Sequence, residues 1–126
     1  MRYYGVKPVN PAPPASGDLI KYNLDPSTDL IDGQRIDWHG AVSSNASYKL
    51  TDYIDAGDRS WIYIFSTTTY GQASNKYCCV FDENKDPLDE QITVTGGMVT
   101  LPTGSRYIRI SDVAGFMDGI TVIMTV

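Results

Sequence analysis

Histidine occurs once and cysteine only twice among the 126 residues, and that scarcity removes much of the chemistry a small protein can carry. A nucleophilic triad needs a base, and His39 is the sole histidine, with no G-x-S-x-G elbow around any serine. A zinc centre lacks its ligand set, because Cys78 and Cys79 are adjacent to each other and His39 stands far from them in sequence. Neighbours on a strand point to opposite faces, so a ring joining these two thiols would need a distorted peptide. They read as reduced, buried thiols acting as small hydrophobes. Phosphate-cradling loops are missing too, since Gly96-Gly97 lies between two strand-like runs and does not open a helix. The expectation is a protein with no catalytic residues, no cofactor and no metal.

Positive charge is also in short supply. Ten Lys and Arg stand against fifteen Asp and Glu, a formal charge of -5 that repels phosphate backbones, so nucleic acid is not an expected partner. No run of 18 apolar residues exists, which argues against membrane insertion by a helix. The N-terminal stretch has no apolar h-region, so the expectation is a chain made in a cytoplasm and used soluble.

What the sequence does contain is enough apolar material, 42%, for one buried core and a tail. Residues 1–17 are set apart by Pro8, Pro11, Pro13 and Pro14, each of which fixes its own φ and removes a donor. They read as an extended arm, either a loose terminus or an anchor with Arg2, Tyr3 and Tyr4 at its tip, residue types enriched at interfaces. Residues 18–126 show the short period of strands, at 34–38, 47–54, 59–68, 75–82, 90–95, 97–101, 105–112 and 118–126. Helix is limited to a turn near Asp25 to Thr28 or Asp112 to Phe116. Turn chemistry at Asp82 to Pro87, Gly96-Gly97 and Pro102 to Gly104 fits hairpin connections. The expected fold is all-β, a β-sandwich of jelly-roll type.

The runs Trp61 to Phe65 and Tyr77 to Phe81 are apolar at every position, so both faces of each strand need cover, from a loop or from another subunit. That requirement hints at an oligomer and assigns Trp61 and Tyr63 to the core. Ile120, Val122, Met124 and Val126 place the last strand inside the fold.

Several stretches resemble a jelly-roll domain of bacteriophage tail, baseplate and adsorption proteins, a module similar to carbohydrate-binding modules. They are Asn23 to Thr28, Gly33 with Ile36 and Gly40, Ser47-Tyr48 leading into Thr51 to Ile54, Val80 to Lys85, and Leu101 to Ser111. The resemblance spans most of residues 23–111 in the family's order and implies a virion protein. Trp38-His39 departs from it, standing where the family carries small polar residues, and the domain here follows a short arm and not a long fibre. The implied role is a capsid decoration or head-fibre protein on the surface of a phage particle, a homotrimer by analogy with fibre-like virion proteins. Residues Arg2, Tyr3, Tyr4 and Pro8 would clamp it to the capsid or another virion protein.

Sugar binding is the competing expectation, because a pyranose offers an apolar face to a flat ring and a rim of hydroxyls to polar neighbours. Trp38 with Arg35, Asp37 and His39 has that composition, and Tyr70 could add a second platform for a host-surface glycan. The other reading of Trp38 is packing against a neighbouring subunit or the arm. The acids Asp52, Asp55, Asp58, Asp82, Glu83, Asp86, Asp89 and Glu90 read as a solvated face, with a calcium site as the alternative, although the EF-hand spacing is absent. A glycosidase would need two of them held in one cleft.

Overall fold

A computed structural model of the chain describes residues 19–67 and 75–125. The expected arm, with Arg2, Tyr3, Tyr4 and Pro8, and the loop residue Tyr70 lie outside the described residues. Ten strands and one short helix follow in order: β1 Leu19–Asn23, β2 Leu30–Ile36, β3 Val42–Thr51, β4 Ile54–Asp55, β5 Trp61–Ser66, β6 Cys78–Phe81, β7 Thr93–Thr95, β8 Met98–Thr100, β9 Tyr107–Val113, α1 Ala114–Met117 and β10 Ile120–Thr125. They form two antiparallel sheets, so the all-β expectation holds. The first sheet runs β1-β10-β5-β8-β7. In the second, β9 pairs with β3 and β4 on one side and with β6 on the other, and β2 flanks β3.

Alternation explains the main core. Ile62 and Ile64 of β5, Val99 of β8 and Ile120, Val122 and Met124 of β10 point from the first sheet toward Cys78 and Val80 of β6 and Ile108 and Ile110 of β9. Each fully buried aliphatic side chain contributes about 1.5–3 kcal/mol of transfer free energy. Helix α1 closes one end with Phe116 and Met117, and the Ser66 hydroxyl donates to the Phe116 carbonyl at 2.7 Å. The β7–β8 hairpin turns on Gly96 and Gly97, both at positive φ (58° and 89°), as a two-residue turn requires. A side chain at Gly97 would meet the Ile64 carbonyl oxygen at 2.4 Å, so its bareness lets this hairpin dock on β5.

A second core lies on the opposite face of β6 and β9. Cys79 and Phe81 point there and are covered by Ile36 of β2 and Leu50 of β3, with Tyr53 and Tyr107 packed against them. The two adjacent cysteines therefore belong to different cores, both free and buried. Ser111 ties the distal half of β2 across this face: its hydroxyl accepts from the Ile36 N–H (3.1 Å) and donates to the Tyr77 carbonyl (2.8 Å).

Four expectations are corrected. The two apolar faces of β6 are both covered by this chain itself, so that strand gives no reason to invoke another subunit. On β5 the aliphatic residues Ile62 and Ile64 are buried, whereas Trp61, Tyr63 and Phe65 are half-buried on the outer face, so Trp61 and Tyr63 are not core. Finally, Leu19–Asn23 is a strand outside the expected set; it is short and largely exposed, and pairing along β10 stabilises it. The expected strand at 90–95 is also shorter, Thr93–Thr95.

Candidate functional site

The turn between β2 and β3 gathers three of the residues singled out in the sequence. Asp37 builds it: its Oδ1 accepts from the N–H groups of His39 and Ala41, each at 3.0 Å, while its own N–H donates to the Ala41 carbonyl. Its carboxylate is thus engaged with backbone. Trp38 and His39 lie ring over ring, centroids 3.6 Å apart at 32°. His39 Nδ1 contacts Asp89 Oδ1 on the neighbouring loop. Gly40, at φ +94°, presses against Pro87 of that same loop and comes close to Cys79. The outcome is a rigid, half-exposed aromatic plate pinned to residues 82–89.

Arg35 does not join that plate. Its guanidinium carbon sits 4.6 Å from the ring centroid of Tyr77 and 5.4 Å from that of Tyr48, and the two rings meet edge to face at 5.6 Å. Both tyrosines are distant in sequence, so only the folded register brings this trio together. A neighbouring cluster was not foreseen either. Tyr53 is approached by Lys85 (4.9 Å) and Arg109 (5.0 Å) and packs edge to face on Phe81 and Tyr107. The alternation of Tyr107 and Arg109 against Ile108 and Ile110 was its available signal.

The acidic residues are used locally. Asp82 Oδ1 accepts from the N–H groups of Asn84 and Asp86, closing its own loop. Asp55 holds Arg106 through two hydrogen bonds (2.7 and 3.0 Å), and that bond keeps the Asp55 carboxyl below its ordinary value. A shallow groove of 860 Å³ runs beside them, lined in part by Asp58, Arg59, Asp82, Glu83, Pro102 and Arg106. Its arginines are already bonded to protein oxygens, Arg59 to the Thr125 carbonyl at 2.6 Å. Among the described residues no group of three or more potential ligands is placed to hold a metal ion.

The outer face of the first sheet has a different character. By register, Leu19, Lys21, Asn23, Thr125, Ile123, Thr121, Trp61, Tyr63, Phe65, Met98, Thr100, Thr93 and Thr95 share it. Lys21 is the one charge among them. Met98 and Leu19 are 39% and 37% exposed, and Tyr63 packs toward Phe65 with centroids 6.0 Å apart. The sequence carried a readable sign of this face, since aromatic residues alternate with isoleucines along β5.

The chain matches no family model, no curated protein and no solved structure. Function therefore rests on the geometry of the molecule itself.

One buried group has no evident use in any of these surfaces. Asp112, on β9, is 8% exposed; its Oδ1 accepts from the Val113 N–H at 2.7 Å, and its Oδ2 has no partner. Burial raises its pKa above the ordinary value. Lys49, its register partner on β3, instead turns to Asp118 and Asp32.

Proposed function

We propose that this protein is a non-enzymatic structural protein of a phage virion, of capsid-decoration or head-fibre type. In this reading the β-sandwich is a jelly roll displayed on the particle, anchored by residues 1–17, and three copies pack through the outer face of the first sheet. The observation that carries it is that face: aromatic, aliphatic and threonine side chains with a single charge, the depletion of charge that marks the centre of a subunit interface. β1, the first described strand, lies at the edge of the first sheet. An arm of this kind loses entropy on docking, so three arms per assembly would supply the avidity for firm attachment.

The test is the solution mass of the full chain by light scattering, joined to retention of the chain on purified particles. A trimer mass, with particle retention that disappears when residues 1–17 are removed, is the expected result. A monomer that does not associate with particles would overturn it.

A second reading is supported by the plate of Trp38 on His39, which stands half-exposed on a rigid turn: a glycan-binding adsorption module meeting the host surface.

A further inference from the structure

Four arginines are described, and three of them spend donors on protein oxygens: Arg59 on the Thr125 carbonyl, Arg106 on Asp55 and Arg109 on the Thr51 carbonyl. Arg35 differs. Its guanidinium is held between Tyr77 and Tyr48, and among the described residues no oxygen accepts from it. A guanidinium carries five N–H donors in a planar fork. Stacking on two rings fixes the plane of that fork while leaving its donors unspent, so little rotamer entropy remains to be lost when an anion arrives.

The surroundings narrow the anion. Ser43 stands directly across from Arg35 and Ser44 across from Gln34, and the β3 run Val42 to Ser47 is largely exposed and consists of hydroxyl, amide and small side chains. Such a rim offers neutral hydrogen bonds to a ligand rich in hydroxyls. A single fork answers a single carboxylate, bidentately. Polyanions need a row of cations, and this chain is acidic overall, at -5. We infer that Arg35, seated on Tyr48 and Tyr77 with Ser43 beside it, is a receptor for the carboxylate of an acidic sugar of the uronic-acid class. This deepens the glycan reading and rests on it, but it places the recognition on β2 and β3 and not on the Trp38 turn.

The experiment is an NMR titration of the full chain with glucuronic acid oligomers, with their neutral methyl esters and with inorganic phosphate. The expected result is that the uronate shifts the resonances of Arg35 Nε–H, Tyr48, Tyr77 and Ser43, that the ester binds at least tenfold more weakly, and that phosphate binds more weakly as well. Arg35→Lys, which keeps the charge but not the fork, should weaken uronate binding at least tenfold with an otherwise unchanged spectrum. If that variant fails to fold, the map on the unsubstituted chain decides alone. Shifts at Trp38 and His39 with none at Arg35 would overturn this assignment while leaving the glycan reading in place. No shift with any saccharide would remove both. Phosphate binding as tightly as the uronate would reduce the site to a bare anion seat and also overturn it.

Discussion

Gly40 and Pro87 touch so closely that a methyl group cannot be placed between them: a Cβ on Gly40 would stand 2.7 Å from Pro87 Cγ. This contact fastens the β2–β3 turn to the loop after β6 and closes the second core over Cys79. The aromatic plate of Trp38 and His39 owes its fixed position to it.

Gly40→Ala should therefore cost about 1–3 kcal/mol, from the strained φ together with the clash. Denaturant unfolding measures this directly. In a double-mutant cycle, Pro87→Ala should recover the clash but not the cost of φ +94°. A variant as stable as the unsubstituted chain would mean that the turn is not fastened as described.

Burial, followed by the charge of Asp37, pushes the Cys79 thiol up to about 12 from 9.0. At pH 8 that leaves about a thousandfold less thiolate than an ordinary cysteine. Iodoacetamide followed by intact mass should find the thiol unmodified in the folded chain, with labelling appearing only alongside global unfolding. Rapid labelling of Cys79 under native conditions would contradict the second core.

Asp112 and Asp55 should give opposite pH dependences. Burial raises the Asp112 pKa, so the folded chain holds a proton that the unfolded chain has released, and stability falls as pH rises above about 4. Asp112→Asn removes the ionisation, and with it this part of the fall in stability as pH rises. Asp55 is lowered by its bond to Arg106, so its contribution is present above 3.8 and fades as pH drops through the folded value. Both partners of that pair are half exposed, and Asp55→Asn should cost less than about 1 kcal/mol. Thermal melts from pH 3 to pH 8 separate the two slopes.

A charge placed on the outer face of the first sheet should abolish the proposed trimer without unfolding the subunit. Met98→Lys and Ile123→Lys lie at neighbouring positions on that face, joined through Tyr63, and neither belongs to a core cluster. Light scattering should report a monomer for each, with a circular dichroism spectrum like that of the unsubstituted chain. An assembly of unchanged mass would remove this face from the interface.

The elements most easily read from sequence were those whose apolar run is continuous or cleanly alternating: β5, β6, β9 and β10. Their existence is a local property. Which face is dry is not, because Trp61 and Ile62 both count as apolar and only the stacking of the sheets separates aromatic from aliphatic. β1 is less legible because it is only five residues long, four of them exposed, and its pairing partner β10 lies at the far end of the described chain. The site followed the same division. Asp37, Trp38 and His39 are contiguous and were foreseen together, whereas Arg35 was grouped with them by proximity in sequence. Its actual companions, Tyr48 and Tyr77, arrive through register and sheet stacking, which no window along the chain contains.

The strand order of the first sheet also dictates when this chain can fold. β10 lies between β1 and β5 and supplies Ile120, Val122 and Met124 to the main core, so the earliest and latest described strands are hydrogen-bonded neighbours. A nascent chain emerging from the ribosome cannot close this sheet until residue 125 is clear of the exit tunnel. Until that moment the edges of β1 and β5 that β10 occupies stay unpaired, and any product cut short before Ile120 is left as a substrate for proteolysis. Placing β10 inside the sheet, between β1 and β5, thus makes closure of this sheet wait on synthesis through residue 125.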